Sequence, residues 1–345
     1  MQSPIHFSHA RASELTRAWL SVGCLLLFVV PGCSQRTENK SSDATDESAT
    51  NVSVQLNWYP EVEHGGVYQS VVDGTYESLG LRVSIQPGGR ATQVASELAT
   101  ARSQFAITNA DDVVLARSQG ADVVAVMAAV QDHPRCILVR ADSGVERLDD
   151  LSGLTLQRQA GRAFLAFLEQ GGYLEDVRQV PYHNSIAAMV TDPKIAVQAY
   201  SVAEPLIAEQ QGLEVRTLMV SELGWNPYSS VLVTTGGMIR ESPEIVREMV
   251  AGTVAGWKAF LKNPEKANAA ILKANQHGMT KEALQFGAEQ MIPLAMPSGN
   301  PDEVGTMSAE RWEMLVSQMA ELELVEADSV KSEDCFTTEF LPSVK

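Results

Sequence analysis

Cysteine is scarce in this chain: there are four in 345 residues, none of them in a CxxC pair. That excludes a disulfide-stapled scaffold and a structural zinc site of the paired-cysteine kind. The six histidines (6, 9, 64, 133, 183 and 277) stand singly and no HExxH occurs, so no metal site is expected. Missing too are the GxxxxGK[ST] and GxGxxG loops of nucleotide binding and the GxSxG elbow of serine hydrolases. Basic residues are outnumbered, 26 Lys and Arg against 43 Asp and Glu. Such a chain lacks the positive face that would neutralise nucleic-acid phosphates or dock on anionic lipid. No uninterrupted apolar run reaches about 20 residues, the length a membrane-spanning helix needs. What is present is a globular composition, 45% hydrophobic, in a chain long enough for two domains.

Arg11 and Arg17 precede an apolar run at 19–30 that ends in Val30-Pro31-Gly32-Cys33. Twelve helical residues rise about 18 Å, well short of the roughly 30 Å hydrocarbon core. A basic start, a short apolar stretch and a small-residue end describe an export signal. Gly32-Cys33 resembles the bacterial lipobox, which makes Cys33 the expected lipidated N-terminus. Residues 1–33 are therefore read as signal peptide and lipobox. Residues 34–50 hold no Val, Ile, Leu or aromatic side chain and read as a flexible tether. The expected location is the bacterial periplasm, with the membrane reached through the lipid alone. Cys136 and Cys335, far apart in sequence, are left unpaired.

Beyond the tether, strand and helix patterns alternate. Strands are expected at 52–57, 81–86, 105–108, 122–130 and 135–140, with helices at 66–79, 91–101 and 111–119. The pattern restarts after Ser143-Gly144 with strands at 154–157, 178–181, 195–200, 214–220 and 230–235. Helices at 160–170, 185–190 and 203–211 lie between them. After Gly237 only helical periodicity remains, at 243–261, 264–274, 281–291 and 308–322. This order predicts an α/β protein of two lobes with largely parallel sheets. Lobe I takes 51–140 plus 237–345, lobe II takes 141–236, and the helical tail packs on lobe I. The chain crosses twice, near 138–143 and near 231–236. A cleft between two such lobes is a common ligand site, because strand ends from both sides point into it.

Two stretches carry candidate ligand-binding residues. LNWYPEVEHGGVY (56–68) follows the first strand; Trp58 and Tyr59 offer flat faces for stacking, and His64 and Tyr68 offer polar atoms. HGG is reminiscent of a lipase oxyanion loop, but the nucleophile elbow that would use it is absent. YSVAEP (200–205) ends a strand of the second lobe, where Glu204 could accept hydrogen bonds from a heterocycle or simply occupy a helix N-terminus. Asn109 sits at a strand-to-helix turn, and Trp225 and Tyr228 lie in GWNPY before the second crossing. Gly88-Gly89-Arg90 fits either an anion site or a plain turn.

LNWYPEVEHGGVY followed by GLRVSIQPGG resembles the opening of ABC-transporter substrate-binding proteins related to the fungal thiamine-pyrimidine-precursor synthases. QFAITNADDVVLARSQGADVVAVMAAVQDHP, RADSGVERLDDLSGLTL, YSVAEPLIAEQQG, GWNPYSSVLVTT and the terminal FLP resemble later blocks in the same order, so the resemblance spans 52–342. It implies a two-lobed periplasmic-binding-protein fold of type II-like topology with two hinge strands. It also implies a monomer without cofactor that delivers a small molecule to an ABC permease and its ATPase. Members bind formylaminopyrimidine or hydroxymethylpyrimidine; relatives bind riboflavin, aliphatic sulfonates, taurine or nitrate. By this resemblance Trp58 stacks on the ligand and Glu204 takes its amino-pyrimidine edge. Asn57 stands where Asp is frequent and Glu61 where Asn is common. Glu204 disfavours a sulfonate, whereas Arg158 and Arg162 could draw one. The synthase activity goes with a CCCFC segment and pyridoxal phosphate in that family, and no such cysteine run occurs here.

Overall fold

The computed structural model describes residues 49–183 and 185–342. The expected signal segment, Cys33 and the tether up to residue 48 lie outside the described residues. The first strands and helices are β1 (Thr50–Gln55), α1 (Gly65–Val72), α2 (Thr75–Ser78), β2 (Leu81–Gln86), α3 (Val94–Ala99), β3 (Phe105–Thr108), α4 (Ala110–Ser118) and β4 (Val124–Val130). Next come β5 (Arg135–Arg140), β6 (Thr155–Arg158), α5 (Ala163–Gln170), β7 (Arg178–Pro181), α6 (Ala187–Thr191), β8 (Ile195–Tyr200), α7 (Glu204–Gln210) and β9 (Val215–Met219). The chain then forms β10 (Ser229–Thr234) and five helices: α8 (Gly236–Glu241), α9 (Pro243–Lys262), α10 (Glu265–Ala274), α11 (Lys281–Ala295) and α12 (Ala309–Glu321).

Two five-stranded sheets result, ordered β2-β1-β3-β10-β4 and β7-β6-β8-β5-β9. In each, one strand runs against the others: β10 is antiparallel to β3 and β4, and β5 is antiparallel to β8 and β9. The reversed strands are the ones that follow the two crossings. This corrects the expected lobe boundaries. β5 belongs to the second sheet and β10 to the first, so the chain crosses at 131–134 and 220–228, earlier than read from the sequence. Both strands are buried on both faces along most of their length and would fit either sheet. Their long-range hydrogen-bond partners decide, and a strand's own pattern does not encode those. The single helix expected at 66–79 is divided at Gly74, whose φ of +69° ends one helical segment and starts the next.

The tail completes lobe I. α1 packs along α9, and the outer edge of β4 is closed by later chain. Ala125 N–H donates to Cys335 O at 2.8 Å, and Thr337 N–H returns to Ala125 O at 2.9 Å. Gly305 N–H donates to Ala128 O at 2.9 Å, so β4 presents no open edge there. Trp312 of α12 stacks on Phe336 and is wholly buried. From Trp312 one hydrophobic cluster continues through Tyr228 and Trp225 to Phe164 and Leu168 of lobe II. Cys136 and Cys335 are buried free thiols.

The two crossings are tied to each other and to α12. Asn226 donates to Asp132 Oδ1 and accepts from His133 N–H, both at 2.8 Å. Arg311 Nη2 donates to the Gln131 and Asn226 carbonyls, each at 2.7 Å, while its guanidinium lies 3.8 Å from the Tyr228 ring. One side chain thus satisfies a carbonyl from each crossing. Arg311→Ala removes both charged donors and the ring contact, and should lower stability by about 2–4 kcal/mol. Urea unfolding measures this; an unchanged midpoint would show that the crossings do not depend on Arg311.

Candidate functional site

The turn after β1 is held from several sides. Gly88 approaches so closely that a Cβ there would collide with Leu56 O, and its N–H donates to Trp58 O at 3.0 Å. The Gly88-Gly89 segment is thus a packing turn against the Trp58 loop. Asn275 donates to Pro60 O at 2.8 Å, and the His277 ring lies 3.8 Å from that of Tyr59. Tyr59 is placed between His277 and Trp58, whose ring is 5.1 Å away in an edge contact. His64 is buried; its Nδ1 accepts from Glu61 N–H at 3.3 Å, which leaves Nε2–H to donate to Asn57 Oδ1 at 3.0 Å. Asn57 and His64 therefore brace the turn from within. Burial pushes His64 down to about 3.

HGG serves packing. A Cβ on Gly65 or Gly66 would overlap the rings of Phe260 and Trp257, so the absence of side chains lets α9 seat on α1. Tyr68 is buried in the same core, and burial pushes its hydroxyl up to about 12.

Lobe II answers with the end of β8. Tyr200 N–H donates to Glu204 Oε2 at 2.8 Å and Tyr182 Oη donates to Oε1 at 3.3 Å. Tyr200 also crosses the cleft: Asn109 Nδ2 donates to its hydroxyl at 3.3 Å, while Asn109 Oδ1 accepts from Ser229 at 2.8 Å. The Arg135 guanidinium lies 4.2 Å from the Tyr200 ring and 4.9 Å from that of Phe164, and His133 meets Tyr200 edge-on. α11 brings the two turns together at Gly287. A Cβ there would lie 2.8 Å from Val202 O of lobe II and 2.9 Å from the Val62 side chain of lobe I. The same hydrophobic cluster contains Val62 and Val202.

Three carboxyls share this region. Burial raises Glu63 to about 7 against a hydrogen bond from its own backbone N–H, with Glu204 adding to the shift and Arg135 opposing it. Burial also raises Glu61 well above the usual carboxylate range, with Glu63 and Glu204 reinforcing and the Trp58 indole opposing. Glu204 is raised by burial and held back by its bonds from Tyr200 and Tyr182 and by Arg135. Ser230 Oγ donates to Glu63 O at 2.8 Å from a backbone at φ +50°, a conformation non-glycine residues seldom adopt.

Of the candidates read from sequence, Trp58, Tyr59 and His64 share one turn, and Asn109 and Glu204 both reach Tyr200. Trp225 and Tyr228 are placed elsewhere. They are 2% and 3% exposed, packed on Phe167 and under Arg311 respectively, and offer no ring face to a ligand in this arrangement. Arg158 donates to Gln179, and Arg162 to Gln159 beside Asp111. Tyr200, Tyr182, Arg135, Glu61 and Glu63 were not singled out as site residues by the sequence reading. Glu61 and Glu63 stand inside the aromatic motif, and Tyr200 opens YSVAEP, so those three were within reach. Arg135 and Tyr182 carry no local signal.

The His64 geometry has a pH consequence. The unfolded chain gains a proton near pH 6.5, whereas folded His64 gains one only at about 3. Its contribution to stability is intact above pH 6.5 and is lost as pH falls below it, at up to about 1.4 kcal/mol per unit. His64→Gln should flatten this acid limb, so that the stability difference between wild type and variant changes by about 1–2 kcal/mol between pH 7 and pH 5. Urea titrations at the two pH values check it, and parallel curves would show that His64 is not held neutral.

Comparison with known proteins agrees with this architecture. The riboflavin-binding protein RibY of Chloroflexus aurantiacus is 25% identical over 351 residues, covering 94% of this chain and 97% of that one. The formylaminopyrimidine-binding protein of Halalkalibacterium halodurans is also 25% identical, over 324 residues, covering 91% of this chain and 97% of that one. The crystal structure of the periplasmic aliphatic sulphonate binding protein SsuA from Escherichia coli superimposes with a TM-score of 0.64 at 16% identity. It covers 86% of this chain and 94% of SsuA, and shows the fold to be that of periplasmic binding proteins. The NMT1/THI5-like family model matches residues 61–267, more than half of the sequence, and the chain belongs to that family.

Proposed function

We propose that this protein is the extracytoplasmic solute-binding component of an ABC importer, anchored by lipid at Cys33, and that its cleft binds a small planar nitrogen heterocycle of the thiamine-pyrimidine-precursor class. The observation that carries the reading is the meeting of Trp58 and Glu204 motifs from opposite lobes at Gly287. Trp58 offers a ring face, and Glu204, oriented by Tyr200 and Tyr182, offers a carboxylate edge. Family membership and the formylaminopyrimidine-binding relative support the ligand class. The riboflavin-binding relative supports a second planar heterocycle as the alternative. A sulfonate is opposed by Glu61, Glu63 and Glu204, even though the fold is shared with SsuA. Binding closes the lobes about the crossings at 131–134 and 220–228, with contacts such as Asn109–Tyr200 made in the closed form.

Calorimetry with hydroxymethylpyrimidine, riboflavin and an alkanesulfonate tests this. Trp58→Ala should weaken every planar ligand by about 1–3 kcal/mol. Glu204→Gln should weaken amino-bearing ligands about 10- to 100-fold, because the amide keeps the shape and loses the charge. Binding of the sulfonate alone, or pyrimidine affinity untouched by Glu204→Gln, would contradict the reading.

A further inference from the structure

The buried polar atoms around the cleft are unevenly paired. Glu63 Oε2 and Asp111 Oδ1 are sealed from solvent and accept no hydrogen bond, and the same holds for Gln157 Oε1 at the end of β6. The buried N–H donors without a partner among the described side chains are the indoles of Trp257 and Trp312, which lie in the cores behind the sheets. Around these three oxygens the described side chains supply no donor, and the nearby Arg135 guanidinium is engaged with rings. Charge points the same way. Glu61 and Glu63 come from the lobe I turn and Glu204 from α7, while the guanidinium facing Glu63 and Glu204, that of Arg135, lies over the Tyr200 and Phe164 rings. Arg162 faces Asp111, and Arg90 acts on Tyr182. Among the described residues no three His, Cys, Asp or Glu side chains converge as a metal site, which directs attention to an organic cation.

A neutral aminopyrimidine needs one carboxylate along its amino edge, and Glu204 supplies it. Glu63 is surplus to that ligand, and although its own backbone N–H bonds the carboxyl, a sealed Oε2 without a donor is costly to keep. A positively charged ring supplies both the missing donor and the missing charge, and the Trp58 face attracts the same cation through its π electrons. We propose that the cleft selects a protonated or permanently charged nitrogen heterocycle over a neutral one, with Glu63 holding the positive charge from lobe I while Glu204 holds the amino edge from lobe II. This rests on the heterocycle-binding function proposed above and narrows its ligand class.

Two probes of nearly equal shape isolate the charge: 4-amino-2-methylpyridine, protonated at pH 7.5, and 4-amino-2-methylpyrimidine, neutral there. Calorimetry on the full-length protein should find the cation bound at least about 10-fold more tightly, and Glu63→Gln should reduce that preference to below about 3-fold. Should Glu63→Gln fail to fold, the wild type still decides through a permanently charged probe, N-methyl-4-amino-2-methylpyridinium. Glu63, surrounded by Glu61, Glu204 and Arg135, ionises at about 7, so affinity for this probe should rise between pH 6 and pH 8. Equal or tighter binding of the neutral probe, or a cation preference that survives Glu63→Gln, would overturn the proposal and leave the broader function standing. Failure of every planar heterocycle, charged or neutral, would remove both.

Discussion

The site depends on one close approach: α11 passes the two motif-bearing turns at Gly287, where there is no room for a Cβ. Val202 O of lobe II would lie 2.8 Å from such an atom and the Val62 side chain of lobe I only 2.9 Å. Any larger residue must displace one turn or the other. Glycine in a helix interior is destabilising by roughly 1 kcal/mol relative to alanine, so its presence here answers to packing. Because α11 belongs to the tail that completes lobe I, the geometry of the cleft is set by chain lying far from the residues that line it. Gly65 and Gly66 work alike on the opposite side, letting Trp257 and Phe260 fix the helix that follows the lobe I turn.

Packing at this level sets the electrostatics. Sealing the turn keeps His64 neutral, and the Glu61 N–H and Asn57 Oδ1 use both of its ring nitrogens. The same sealing raises Glu61, Glu63 and Glu204. Tyr200 links the two effects, since its backbone orients Glu204, its hydroxyl reaches Asn109 across the cleft, and its ring carries Arg135. The arrangement stores unpaired acceptors that a donor-rich ligand can satisfy, which is the physical basis of the proposed selectivity.

Most of the elements were legible because their signals are local. The strands at 81–86, 105–108, 135–140, 178–181 and 195–200 have the bounds that alternation and turn residues predict, and the tail helices begin where Pro243, Thr280 and Ser308 place them. Sheet membership was not legible: β5 and β10 are buried on both faces, and only long-range pairing assigns them. The site was legible in part. Trp58 and Glu204 are candidates that their motifs point to; Trp225 and Tyr228, pointed to in the same way, are buried in packing contacts, because aromatic side chains serve a core as readily as a cleft. Glu63 escaped notice since an acidic residue in a loop is ordinarily solvated; its burial comes from the other lobe and the tail.

The closure of the lobes over the ligand is tested most directly by small-angle scattering of the protein, with and without hydroxymethylpyrimidine, in wild type and in Gly287→Val. The added side chain blocks the approach of Val62 and Val202 O and forces one turn away, while the Trp58 and Glu204 side chains are themselves unaltered. Wild type should contract on binding, and Gly287→Val should stay expanded and bind at least about 10-fold more weakly. Identical wild-type curves in both conditions, or a variant that contracts and binds like wild type, would contradict the account.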